Sequence, residues 1–129
     1  MSSSDAIGLV CAALDPVMVA AGFQAGQGGT TPADEGQVIY CAGHDEFSER
    51  YPSLPQAHQQ EPGGTCVDLV LDVWPGGRLG RMDLEAMSLA ATLRHVGLTE
   101  DGDAVEAVAG VPVADALPVV AAALERLLG

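Results

Sequence analysis

Residues Cys66 to Leu84 constrain the fold of this chain more than any other stretch. Val67, Leu69, Leu71 and Val73 alternate with Asp68, Val70, Asp72 and Trp74, a period of two that marks a strand with one buried face. Pro75-Gly76-Gly77 follows and demands a turn. With Gly76 and Gly77 as a two-residue hairpin loop, where positive φ is favoured, Leu69 falls opposite Leu84, Leu71 opposite Met82 and Val73 opposite Gly80. These pairs share the buried side. On the other side Asp72 faces Arg81 and Trp74 faces Leu79. A slip of one residue would undo every match, so side-chain and turn chemistry select one register.

Helical spacing appears on both sides of this hairpin. Ile7, Val10, Cys11, Leu14, Val17, Met18 and Ala21 predict a helix over Ser4 to Gly22, capped by Ser4 or an earlier serine and kinked at Pro16. Ala86, Leu89, Ala90, Leu93 and Val96 predict a second helix, stopped by Gly97. Leu117, Val120, Ala121, Leu124, Leu127 and Leu128 predict a third from Asp115, its cap, with Pro118 in the first turn. Residues 98–113 fit a strand or a short helix. Ala25 to Gly36, with four glycines and little apolar material, reads as a loop. Val38 to Ala42 reads as a short strand, and residues 43–64, polar and holding Pro52, Pro55 and Pro62, as a long loop that is either functional or mobile. The expectation is a single α+β domain over residues 1–129. It has a small antiparallel sheet of about three strands, including the hairpin at 66–84, and helices packed on one face.

Composition narrows the function. The 129 residues are 48% hydrophobic, too apolar for a disordered chain, and carry 18 acidic against 5 basic side chains, a formal charge of −13. Such a field repels phosphate backbones and anionic lipid, so nucleic-acid and membrane partners are not expected. The start Met-Ser-Ser-Ser-Asp has no positive segment, and Asp15 and Pro16 interrupt the apolar stretch behind it. With three cysteines, too few for a disulfide framework, the chain reads as a soluble cytoplasmic protein without signal peptide or membrane span. The acid is uneven. Residues 27–64 hold six carboxylates against Arg50, and residues 98–129 six against Arg126. Residues 65–97 hold four against Arg78, Arg81 and Arg94 and are nearly neutral.

Several chemistries can be drawn from the remaining residues, and each lacks a part. Cys41, His44, His58 and Cys66 offer a Cys₂His₂ set for zinc, but without the paired C-x-x-C spacing of structural sites. Cys41 or Cys66 with His44, oriented by Asp45 or Glu46, offers a nucleophile and base, although no catalytic signature surrounds either cysteine. Asp68 and Asp72 share a strand face but stand roughly 13 Å apart, too far to act on one bond. Asp45, Glu46 and Glu49 lack a calcium-loop pattern, Gly26 to Thr31 lacks the lysine of a phosphate loop, and Pro52-Ser53-Leu54-Pro55 has PxxP form without a basic anchor. No cofactor or metal is expected.

The remaining candidate is the outward side of the hairpin. Trp74, the only tryptophan, stands there with Leu79 and Val70 beside Asp68, Asp72 and Arg81, an aromatic and aliphatic strip rimmed by charge, as protein-binding faces are built. The long loop, through Tyr51 and Leu54, or a second copy of the chain offers an alternative cover for this strip. In layout and charge the chain is similar to small acidic adaptor domains of the secretion-chaperone or immunity-protein kind. The expected function is a non-enzymatic binding module, its acid steering a basic protein partner onto the Trp74 face. The alternatives are a thiol- or metal-dependent enzyme using Cys41 or Cys66 with His44, and a dimeric structural component.

Overall fold

A computed structural model describes residues 1–58 and 66–129. The elements run α1 (Ser3–Ala20), β1 (Gln27–Thr30), β2 (Gly36–Gly43), α2 (His44–Arg50), a 3-10 turn (Pro55–His58), β3 (Cys66–Trp74), β4 (Arg78–Leu84), β5 (Met87–Ser88), α3 (Leu89–His95), α4 (Thr99–Ala107) and α5 (Val113–Leu128). Each strand pairs antiparallel with the next in the order β1-β2-β3-β4-β5. The α+β class stands, but the sheet has five strands rather than about three. The extra strands lie where hydrophobic periodicity is absent. β1, Gln-Gly-Gly-Thr, is exposed throughout and sits inside the stretch read as a loop, while β5 is two residues long. A ladder needs only backbone groups. The glycines serve α1 instead: a Cβ at Gly28 would collide with Ile7, and one at Gly36 would lie 2.9 Å from the Ile7 Cδ1.

The hairpin keeps the expected register at its far end and departs from it near the turn. Leu69 pairs with Leu84, Val70 with Asp83 and Leu71 with Met82, but Val73 pairs with Leu79 and Trp74 with Arg78. The loop has three residues, not two. Pro75 and Gly76 (φ 82°) hold the centre of a turn closed by the Gly77 N–H on the Trp74 carbonyl at 3.1 Å, and Gly77 (φ 73°) is also left-handed. The odd residue shifts the pairing by one, and a bulge that sets Gly80 and Arg81 opposite Asp72 shifts it back. Leu79 is thereby turned inward and is 0% exposed, which corrects its expected place beside Trp74. The expected Asp72–Arg81 pair is also absent. Asp72 accepts from the Gln37 Nε2 at 3.2 Å, and Arg81 pairs with Asp83 at 3.1 Å.

One face of the sheet is buried. It carries Val38, Tyr40 and Ala42 from β2, Val67, Leu69, Leu71 and Val73 from β3, and Leu79, Met82 and Leu84 from β4. α1 is capped by Ser2, whose side chain accepts from the Asp5 N–H at 3.2 Å. It runs through Asp15 and Pro16, as the helix expected over Ser4 to Gly22 does, and by length and composition it is apolar enough to cross a membrane. Its inner stripe, Ala6, Val10, Leu14 and Met18, belongs to the core.

The expected long loop at 43–64 is corrected at His44–Arg50 and Pro55–His58, which form α2 and the 3-10 turn; residues 59–64 lie outside the described residues. Prolines disguise the pattern there, yet Phe47, Tyr51, Leu54 and Ala57 recur at three- and four-residue spacing and are buried. Buried Gln56 ties this segment to β4 and α3, donating to the Leu84 carbonyl at 3.1 Å and the Thr92 hydroxyl at 2.8 Å. The open choice at 98–113 resolves as α4. α3 begins at Leu89 rather than Ala86, because Met87 and Ser88 pair with β4, and Ser88 caps it. α5 begins at Val113, so Asp115 lies in its first turn rather than at its cap, and Pro118 falls in the second turn.

Asp34, in the left-handed region (φ 59°), joins three parts of the chain. Its carboxylate accepts from the Ser3 N–H at 2.9 Å and the Gly76 N–H at 3.3 Å, while the buried Ser3 hydroxyl donates to the Asp34 carbonyl. The backbone N–H of Ser3, then that of Gly76, hold the Asp34 carboxyl below its ordinary pKa. A carboxylate depressed in the folded state stabilises above its unfolded pKa, and that stability is lost as pH falls through the folded one. Unfolding midpoints in urea are therefore expected to drop below about pH 4, and the Asp34→Asn variant to start lower at neutral pH and drop less. Superimposable pH profiles for the two chains would refute the junction.

Candidate binding face

The other face of the sheet carries the residues that alternate with the core: Gln37, Ile39 and Cys41 on β2, Asp68, Val70, Asp72 and Trp74 on β3, and Asp83 on β4. All are half-buried or exposed, and no helix among the described residues covers them. Ladder pairing arranges them in rows across the strands. Gln27, Ile39, Val70, Asp83 and Ser88 form one row, with the apolar pair Ile39–Val70 at its centre. Beside it a shallow groove of about 520 Å³ runs over β1 and β2 from Gly29 to Ile39.

Trp74 is 42% exposed at the hairpin end of this face. Its indole lies across Gly80, where a Cβ would come within 2.6 Å of Cε2, and the far ring edge reaches toward Gly110. Arg78, its ladder partner, donates to the Gly110 carbonyl at 2.9 Å. The ring thus rests on backbone on one side and leaves its other side open. Gly80 is buried because the indole covers it, an aromatic filling the space of a strand glycine.

The expected site residues are brought together only in part. Trp74, Val70, Asp68, Asp72 and Arg81 all lie on the outer side or its rim, and Leu79 does not. Asp72 separates Val70 from Trp74, so the expected continuous strip is two apolar points about 13 Å apart. Tyr51 and Leu54 do not cover it; both are buried in the core, the Tyr51 hydroxyl bonding the Ala21 carbonyl at 2.7 Å. Sequence reasoning missed Ile39, 37% exposed. Its signal was the alternation of Gln37, Ile39 and Cys41 with Val38, Tyr40 and Ala42, which reads as a simple apolar run. It also missed Glu85, whose carboxylate accepts from the Asp68 N–H at 2.6 Å. With Asp68, Asp72 and Asp83, Glu85 makes the rim acidic, while Arg81 is already engaged by Asp83.

Cys41 and Cys66 share this face, their thiols hydrogen-bonded to one another. Burial first, then bonds with Cys66 and Asp68, push the Cys41 thiol up to about 12. A thiol pushed up in this way is held protonated, the reverse of an activated nucleophile. His44 opens α2 with its Nδ1 at 3.5 Å from the Ser48 hydroxyl, and the His58 Nε2 lies 2.6 Å from the Pro52 carbonyl. No three His, Cys, Asp or Glu among the described residues converge to hold a metal ion. No protein-family model, no curated protein and no solved structure matches this chain.

Proposed function

We propose that the chain is a non-enzymatic cytoplasmic binding module whose outer sheet face takes a basic segment of a partner protein. The observation that carries this reading is Trp74, a large aromatic supported by backbone from behind and left 42% exposed on a sheet face that no helix among the described residues covers. Tryptophan is among the residues that most often anchor interfaces. Asp68, Asp72 and Glu85, spread along the hairpin away from Trp74, suit a cationic partner, and the charge of −13 would steer such a partner from a distance. The raised Cys41 thiol weighs against a thiol enzyme on the same face.

Steering by charge has a kinetic signature. Association with a protein that co-purifies from native cells, followed by Trp74 fluorescence in stopped flow, is expected to slow on the order of tenfold between about 0.02 and 0.15 M salt. Dissociation should change far less. An association rate indifferent to salt would remove the electrostatic part of this reading.

A further inference from the structure

We propose that the outer face of the α1–α5 helix pair is a self-association surface, occupied by a second copy of this chain related by a two-fold axis. This surface is separate from the Trp74 face. α1 has a mean hydropathy of 1.4, yet only 28% of it is buried. A surface helix normally turns polar residues outward, whereas α1 turns out Leu9 (37% exposed), Ala12, Pro16 and Val19 (53% exposed). α5 packs alongside, and between the two helices runs an open groove of about 460 Å³ whose lining includes Leu9, Ala12, Ala13, Pro118 and Ala121 and no charged side chain.

Charge selects the occupant. In a two-fold contact the same patch meets itself, so residues near the axis face their own copies. On a chain of −13, most surfaces brought together this way would set carboxylate against carboxylate. Residues 6–14 of α1 and 116–124 of α5 contain no Asp, Glu, Arg or Lys at all, so this face meets its copy without that repulsion. A membrane fits poorly, because interfacial helices border their apolar side with Lys and Arg, and here the bordering charges are Asp5, Asp15, Asp115 and Glu125 with Arg126. Alanines along the seam allow close approach, and the Leu9 side chain of each copy is placed to enter the groove of the other. Two helices about 25 Å long at 8–10 Å spacing present roughly 500 Å² per copy, the size of a weak, micromolar interface rather than an obligate one.

Sedimentation equilibrium of the full chain from about 1 to 500 μM tests this. The expected mass rises from 13.1 kDa toward twice that value. The rise should be steeper at about 0.5 M salt than at 0.05 M, because screening relieves the self-repulsion. That dependence is opposite in sign to the one expected for a basic partner. Leu9→Glu and, separately, Ala12→Glu, both at exposed positions, should hold the mass at the monomer value with the thermal transition of the dilute protein unchanged. A monomer at every concentration and salt overturns the proposal. So does a dimer that both variants leave intact, or one abolished by Trp74→Ala instead. Co-sedimentation with phosphatidylcholine vesicles, lost in Leu9→Glu while the free protein stays monomeric, would replace the second copy with a lipid surface.

Discussion

Leu79→Ala is expected to destabilise the protein by about 3 kcal/mol, within the 2–5 kcal/mol typical of a buried leucine truncation. At roughly 4 °C per kcal/mol for a chain of this size, the thermal midpoint should fall by about 12 °C. The cost follows from the turn. The two-residue loop would have set Leu79 opposite Trp74 and outward; the three-residue loop sets it opposite Val73 and inside, and the bulge at Gly80 and Arg81 then keeps Met82 and Leu84 on the same buried side. Val70→Ala, one strand away on the half-exposed outer side, is expected to cost less than about 1 kcal/mol. Measured by urea unfolding, a small loss at Leu79 and a large one at Val70 would reverse the two faces and with them the site.

Trp74→Ala is expected to weaken partner binding by 2 kcal/mol or more, about thirtyfold, while lowering stability by only about 1 kcal/mol. The asymmetry arises because the indole, lying across Gly80 with its far edge toward Gly110, stays 42% exposed and free to meet a partner. Gly80→Ala is the complementary variant. It keeps the tryptophan but places a methyl group where the ring now lies, so the indole must lift from the strand. Affinity should fall in this variant too, although no contact atom has been removed. Unchanged titration isotherms for both folded variants would eliminate Trp74 as an anchor.

The parts of the fold that sequence exposes are those in which side chains encode the backbone. Leu69, Leu71, Met82 and Leu84 alternate, and they pair as the alternation requires. The stripe of Val10, Leu14 and Met18 repeats at helical spacing, and it is buried. Near the turn the same reasoning failed at Leu79, because a two-residue loop and a three-residue loop followed by a bulge give identical pairs beyond Leu71. Hydrophobic spacing does not distinguish them. β1 escaped because its glycines are chosen for the approach of Ile7 and leave no alternation to read. Three prolines concealed α2 and the 3-10 turn, although Phe47, Tyr51, Leu54 and Ala57 kept an anchoring period. For the site, the exposure of Trp74 was legible from parity alone. The contribution of Ile39 and the separation of Val70 from Trp74 required the strand neighbours.

Oxidative footprinting of the chain alone and in complex with its captured basic partner tests the binding face most directly, since it reads side-chain accessibility residue by residue. Binding should protect Trp74 most strongly, with Ile39 and Val70 following and Leu9 and Val19 on α1 unchanged. Protection confined to α1 and α5, with the Trp74 oxidation rate the same in both samples, would contradict it.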